Sequence, residues 1–531
     1  MSKSVFMTLL PLGKRIEVAK GSLLQDTLFE QGVEFPCGGN GKCKGCRIRV
    51  LEGIAPATSD DRDLIPENRL EEGWRLGCRL VAQGDLVLEL AQWQASILGD
   101  DSMFDFVPRE GYGIAIDLGT TTIVAQLIDL KTGRVKGVRS GLNAQGRHGA
   151  DIMSRIEFGL RHGGREKLTS LVRAQVGVMI DNLIQGVFPS RIGGGLDEPG
   201  AREIFEILEV VFVGNSVMHH LFCGLPIESL SEYPFVLVDG GMKCFEAGEL
   251  GWVFSGEMTS NPTVRFLPCI AGFVGSDIVA GILATELCQM EHPCALVDLG
   301  TNGEMVVGNR ERLVCASTAA GPAFEGARIS MGMQAVTGAI SRISVVNGEL
   351  SCHVLGGAKA RGLCGSGLVD AVAVGLDLGW IQSNGRMADP TVQLQESVFL
   401  HQCDVRELQL AKGAIGAGLR ILAREWGIHV EGLDQVWLAG AFGNYVSTAS
   451  AVRIGLLRSS LEKIVPSGNT ALRGAKIALC MGDLLEDRLG ELLDRVEHIQ
   501  LQEDPDFLEG YVEEMGYPKG QRTDSFKSRN T

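Results

Sequence analysis

The sequence predicts a small α+β domain followed by a larger α/β domain of two related lobes, and three observations predict it. Four cysteines, Cys37, Cys43, Cys46 and Cys78, crowd into the start of a 531-residue chain whose other ten cysteines are scattered from Cys223 to Cys480. From Tyr112 onward, apolar strands ending in glycine loops alternate with helices, the texture of an α/β layer structure. The run Ile116-Asp117-Leu118-Gly119-Thr120-Thr121-Thr122 returns 181 positions later as Val297-Asp298-Leu299-Gly300-Thr301-Asn302-Gly303. A repeat at that distance indicates duplicated lobes and not a solenoid.

In chain order, short strands are expected at 5–10, 14–18, 47–51 and 85–89 around a helix near 22–31, which makes residues 1–92 one domain. Residues 93–111 lose the period and carry Gly99-Asp100-Asp101-Ser102 and Pro108, a linker. Residues 112–505 form the two-lobed domain, and 506–531 turn polar and read as a frayed tail.

Composition narrows the function. With 49 Lys+Arg against 65 Asp+Glu the formal charge is −16, so the surface repels phosphate backbones and a nucleic-acid partner is not expected. No apolar run approaches the roughly 20 residues that span a bilayer, no membrane partner is expected, and 5–12 is too short for a signal-peptide core. The chain reads as cytoplasmic, where clustered cysteines hold metal more often than disulfides.

The cysteine loop is Cys37-Gly-Gly-Asn-Gly-Lys-Cys43-Lys-Gly-Cys46 with Cys78 in Leu-Gly-Cys-Arg, a C-x5-C-x2-C-x31-C pattern. Four thiolates satisfy an iron–sulfur cluster, and glycines let backbone N–H groups turn toward its sulfurs. Structural zinc is the plainer alternative, although zinc ribbons present two close pairs. The spacing resembles plant-type [2Fe–2S] ferredoxins, whose first interval is usually one residue shorter.

Each DLGT-type turn places a carboxylate at a strand end, then amides and hydroxyls that can surround phosphate oxygens. Asp117, followed by Gly119, Thr120, Thr121 and Thr122, would hold hydrated Mg²⁺ beside a phosphate nest. Asp298 with Gly300, Thr301, Asn302 and Gly303 would supply the opposing half, although a single such turn is equally an ordinary hairpin. A third element, the strand 436–439 running into Gly440-Ala441-Phe442-Gly443-Asn444, follows the two turns. Adjacent His219 and His220 point about 100° apart on a helix, which disfavours shared metal and leaves Asn215 or Ser216 as a helix cap. No GxxxxGK[ST] loop occurs.

Two phosphate turns and a later glycine turn, in that order, resemble the actin, hexokinase and heat-shock ATPase superfamily. The resemblance implies an actin-like ATPase of two ribonuclease-H-like lobes after a β-grasp ferredoxin domain. It assigns Gly440, Ala441, Phe442 and Gly443 to adenosine, and a helix at 407–418 carrying Gln409 and Lys412 to the base. Taken together, CGGNGKCKGC, YGIAIDLGTTT, GNSVMHH, VDLGTNGEM, GPAFEGA, CGSGLVD and LAGAFGNY resemble the reductive activators of corrinoid proteins over about residues 5–500. That family reduces Co(II) of a corrinoid protein to Co(I) at the expense of ATP, which implies a [2Fe–2S] cluster, ATP and Mg²⁺ as cofactors. Its partners would be a corrinoid protein of a methyltransferase system and a low-potential electron donor. The chain has no D-x-H-x-x-G sequence, so the corrinoid belongs to the partner. Longer members carry a domain that the 93–111 gap cannot hold, and a homodimer is left open. A small-molecule kinase of the same superfamily, a redox-sensing ATP-binding regulator and an electron injector for dehydratases are the rival readings.

Overall fold

The computed structural model describes residues 4–10, 14–30, 41, 46–90, 108–188, 206–254, 261–300, 302–335, 338–355, 359–395, 397–440 and 446–519. The linker reading falls mostly on residues outside this set. The N-terminal domain builds one mixed sheet from β1 (Ser4–Leu10), β2 (Lys14–Ala19), β3 (Arg47–Glu52), β4 (Trp74–Leu76) and β5 (Leu86–Leu90), in the order β2-β1-β5-β3-β4. The first and last strands are parallel neighbours at its centre and the hairpins flank them, a β-grasp. Alternation drives Met7, Leu9, Ile48, Leu86 and Leu88 inward against Leu24 and Leu28 of the helical segment. The four strands and the helix expected from the period are present. The short β4 and the helices Ser59–Leu64 and Glu67–Glu71 were not legible, because each is a turn or two long.

The chain then divides into two units. The first contains residues 1–288 and 469–496, the second 289–468 and 497–531. In the first unit β6 (Tyr112–Leu118), β7 (Thr122–Asp129) and β8 (Arg134–Leu142) form an antiparallel meander. Beside it, β9 (Ile207–Val213) runs parallel to β6, β10 (Lys243–Glu246) lies at the edge, and β11 (Thr263–Phe266) runs parallel to β9. The returning helix Thr470–Met481 packs on the helix Ser276–Thr285, with Gly474 against the Ala280 carbonyl.

The second unit repeats the plan with β12 (Cys294–Leu299), β13 (Gly303–Gly308) and β14 (Leu313–Thr318) as the meander. A side layer holds β15 (Ala339–Val346), β16 (Glu349–Val354), β17 (Gly362–Leu363), β18 (Thr391–Gln395) and β19 (Val398–His401). The main sheet continues with β20 (Val436–Ala439) parallel to β12 and β21 (Ile464–Gly468) parallel to β20, while β22 (Val496–His498) closes the β14 edge. Stripped of edge strands, the two orders are β8-β7-β6-β9-β11 and β14-β13-β12-β20-β21, so the sequence echo is a duplicated ribonuclease-H-like lobe of the actin type.

The polar C-terminus corrects the sequence reading. Residues 506–519 are part of the fold: the helix Phe507–Glu514 packs on the helix Gln402–Trp426, and Glu514 and Tyr517 are buried. The segment exposes Leu508 and Val512 and buries only a few residues, which is why its composition looks like a tail. Pro322–Glu325 forms a 3₁₀ turn.

Candidate functional site

Two of the four predicted cluster ligands lie among the described residues, both buried in the core of the N-terminal domain. Cys46 precedes β3 and Cys78 sits in the 3₁₀ turn after β4. Because Arg47 pairs with Leu76 and the Gly77 amide donates to the Cys46 carbonyl at 2.9 Å, the two cysteines come to the same end of one ladder. Asp61 fixes that end. Its carboxylate accepts from the Leu76 amide at 2.7 Å and from the Thr58 amide and hydroxyl at 2.7 Å each, closing a capping box on the helix Ser59–Leu64.

Arg79 donates to Asp60 at 2.6 Å, and Gly41 of the cysteine loop rests on this pair with φ of +68°. A Cβ there would stand 2.6 Å from the Arg79 Nη2 and also strike the Asp60 carboxylate, so only glycine fits. Cys37 and Cys43 lie outside the described residues, and among the described ones no group of three or more His, Cys, Asp or Glu could hold a metal ion. Two buried thiols and a glycine-tight loop fit a cluster closed by the other two cysteines.

The first glycine turn is built from beneath. The carbonyls of its three central residues are all drawn into the protein: Gly119 accepts from the Asn143 side-chain amide at 2.9 Å, Thr120 from the Arg155 guanidinium, and Thr121 from the Asn143 backbone amide at 2.8 Å. In a planar trans peptide the C=O and the following N–H point in opposite directions, so the amides of Thr120, Thr121 and Thr122 are turned away from the groups that hold the carbonyls. Asn215, the cap of the helix Ser216–Cys223, donates its side-chain amide to the Thr120 hydroxyl at 2.8 Å. Amides so presented can take an anion.

At the end of β6, Asp117 keeps some accessible surface, yet its carboxyl group is enclosed by protein. Burial pushes its pKa up to about 6, opposed by a 2.8 Å hydrogen bond from the Asn469 side-chain amide. Asn469 also caps the helix Thr470–Met481 through the Leu472 amide. An enclosed carboxylate short of cationic partners, beside such amides, fits a divalent cation carried in with phosphate.

The second turn begins at Asp298, the last but one residue of β12. Asp298 faces Ala439 across the parallel pairing with β20, which brings it beside Gly440. Gly440 adopts φ of +89°, and a Cβ there would lie 2.6 Å from both the Asp298 Oδ1 and the Leu299 carbonyl. The Gly300 amide closes a tight turn on the Asn302 carbonyl at 3.0 Å, and Gly303 starts β13 packed on Ile415. Thr301, Ala441, Phe442 and Gly443 lie outside the described residues.

Gln409 and Lys412, expected at the base, bond the C-terminal segment in the structure. Both are buried and donate to backbone carbonyls: Gln409 to Asn384 at 3.1 Å and Met515 at 2.9 Å, Lys412 to Glu514 and to Gly516 at 2.9 Å. They clamp the C-terminal segment, and these carbonyls take both amide protons of Gln409 and two of the three ammonium protons of Lys412. Two cavities, of about 680 and 430 Å³, share Glu431, Gly455 and Arg458, and the first also includes Lys463. Lys463 precedes β21, the end opposite Gly440, and Arg458 is paired with Glu514 at 2.8 Å.

Arg155, Asn143 and Asn469 were missed in the sequence. Arg155 had a signal, an arginine between Ile152 and Ile156 on the apolar face of a helix. Asn143 and Asn469 look like ordinary loop residues, and only tertiary structure brings them to the turn.

Family models match a 2Fe-2S iron-sulfur cluster binding domain at residues 7–83, the RACo middle region at 112–290 and the C-terminal ASKHA domain of RACo at 292–529. The corrinoid activation enzyme RamQ of Eubacterium limosum is 34% identical, over 94% of this chain and 97% of its own length. The [Co(II) methylated amine-specific corrinoid protein] reductase of Methanosarcina barkeri is 28% identical over 76% of this chain and 77% of its own. A solved reductive activator for corrinoid, iron-sulfur protein shares the fold with a TM-score of 0.65 at 25% identity, covering 97% of this chain and 98% of that one. An iron–sulfur domain, a middle region and an ASKHA domain, matched in that order and nearly end to end, show that the chain belongs to the family of ATP-dependent reductive activators of corrinoid proteins.

Proposed function

We propose that this chain returns a corrinoid protein of a methyltransferase system to its active Co(I) state, delivering one electron to Co(II) and hydrolysing ATP to do so. The observation that carries this reading is the match over 97% of a relative named for corrinoid activation. When held by Cys37, Cys43, Cys46 and Cys78, the [2Fe–2S] group supplies the one-electron chemistry, recharged by a low-potential donor. Clusters of this type sit near −400 mV, above what Co(II) reduction demands. A conformational bias of about 5.5 kcal/mol changes populations by roughly 10⁴. At about 59 mV per decade for one electron that displaces an apparent potential by roughly 240 mV.

The chain's own residues have separate tasks. Asp60 and Arg79 back Gly41, and Asp61 holds the end of the ladder that carries Cys46 and Cys78. The Thr120, Thr121 and Thr122 amides orient phosphate oxygens, and Asp117 would hold Mg²⁺, which would neutralise phosphate charge. Asp298 orients the attacking water, so that catalysis comes from positioning and charge neutralisation. The electron ends on cobalt, and ATP and water become ADP and phosphate. The reducing cytoplasm is the compartment in which such thiolate ligands persist.

The test mixes Asp117→Asn or Asp298→Asn protein with a Co(II) corrinoid protein, reductant and MgATP, and follows the Co(I) absorbance. Each variant is expected to slow Co(I) formation by about 100-fold or more while its iron–sulfur spectrum stays unchanged. Undiminished Co(I) formation would refute the assigned roles.

A further inference from the structure

Arg155 is 1% exposed, and among the described residues the groups hydrogen-bonded to its guanidinium are all neutral. Nε donates to the Gly149 carbonyl at 2.8 Å, Nη1 to the Gln145 side-chain oxygen at 3.2 Å and to the Met218 sulfur at 3.3 Å, and Nη2 to the Thr120 carbonyl. The acid that acts on it electrostatically, Asp151 at the start of its own helix, spends its oxygens on the Ser154 amide and hydroxyl. Burial pulls the guanidinium pKa below the ordinary arginine value, but not far enough to discharge it at neutral pH. A buried charge whose acid acts on it only through space, with no hydrogen-bonded counter-ion among the described residues, is costly, and proteins rarely keep one unless something else compensates it.

The position of this charge is specific. It sits directly behind the peptide whose carbonyl it holds, and the opposite side of that peptide presents the amides of the turn. Neighbouring donors repeat the pattern, since Asn143 secures the carbonyls on either side and Asn215 the Thr120 hydroxyl. One buried cation thus does two things: it fixes the orientation of the turn and it adds positive potential at the face where an anion would rest.

We propose that Arg155 is a positioning residue that presets the first glycine turn for the nucleotide's terminal phosphates, which add counter-charge near a guanidinium that no described acid hydrogen-bonds. The inference rests on the nucleotide reading above and extends it to phosphate-number specificity. A ligand with more phosphate at this turn gains more from Arg155, and adenosine gains nothing.

The experiment is calorimetric binding of MgATP, MgADP and adenosine to the full chain carrying Arg155, Arg155→Lys or Arg155→Met. Arg155→Met is expected to lose about 100-fold in MgATP affinity, less in MgADP affinity, and to leave adenosine within twofold. Arg155→Lys keeps the charge without the planar fork, is the variant that retains the fold, and should lose about 10-fold for MgATP, again sparing adenosine. Parallel losses for all three ligands in Arg155→Lys, or unchanged MgATP affinity in either variant, would overturn the proposal. Failure of the underlying nucleotide reading is distinguishable, because it appears in the unsubstituted chain as absence of MgATP binding.

Discussion

His219 and His220 show how far side-chain chemistry alone can mislead. Their Nδ1 atoms stand 3.3 Å apart, but His220 Nδ1 bonds the Ser216 carbonyl at 2.9 Å and His219 Nε2 the Gly241 carbonyl at 3.2 Å, so the pair is a core feature. Asn215 caps the helix, as the sequence suggested. Burial first, and the neighbouring His220 second, lower the His219 pKa to about 4. Unfolded histidine titrates near 6.5, so between pH 6.5 and 4 the unfolded chain binds a proton that the folded chain refuses. Stability is intact above that window and falls with pH inside it, by about 2 kcal/mol between pH 7 and 5 from this group. His219→Gln should flatten the decline in the first unit's urea midpoint over that range, and an unchanged decline would remove His219 as its cause. Among the lone cysteines, burial pushes the Cys223 and Cys480 thiols up to about 12, while Cys244 and Cys403 are exposed.

At the scale of elements, strands with a clean period were legible and short or composite elements were not. β6 and β12 were read correctly because each is a near-continuous apolar run broken by one aspartate, and buried central strands have that signature. The helix Gln402–Trp426 was foreseen in part, but the partner of Gln409 and Lys412 was not, because no local rule says which distant segment will need a buried lysine. Burial lowers the Lys412 pKa to about 8, with Glu514 opposing the shift. Lys412→Met should therefore raise hydrogen exchange across residues 507–517 by 10-fold or more and leave MgATP affinity unchanged. Loss of MgATP affinity with a well-protected C-terminal helix would return Lys412 to the nucleotide site. Of the candidate site, the carboxylates and glycine turns were visible as motifs, whereas the donors that orient them come from helix starts whose tertiary meeting points leave no local trace.

For the whole molecule, the return of residues 469–496 to the first unit is the feature no motif announced. A duplicated sequence predicts two lobes in succession, but here the second is inserted before the first is finished. The helix Thr470–Met481 covers the helix Ser276–Thr285 and sits under β6 and β9. A chain ending at Gly468 should consequently lose the cooperative unfolding transition of its first unit, and retention of that transition with an unchanged midpoint would show the returning helix to be dispensable.

Synthesis of the protein has to respect the same order. Asp117 receives its Asn469 hydrogen bond from a residue 352 positions later. While the ribosome translates residues 289–468, at about 5–20 residues per second, the first lobe waits roughly 10–35 s with the helix Ser276–Thr285 lacking the helix Thr470–Met481 that packs on it. The nascent polypeptide thus carries a half-built lobe through about a third of its own elongation until the last stretch threads home.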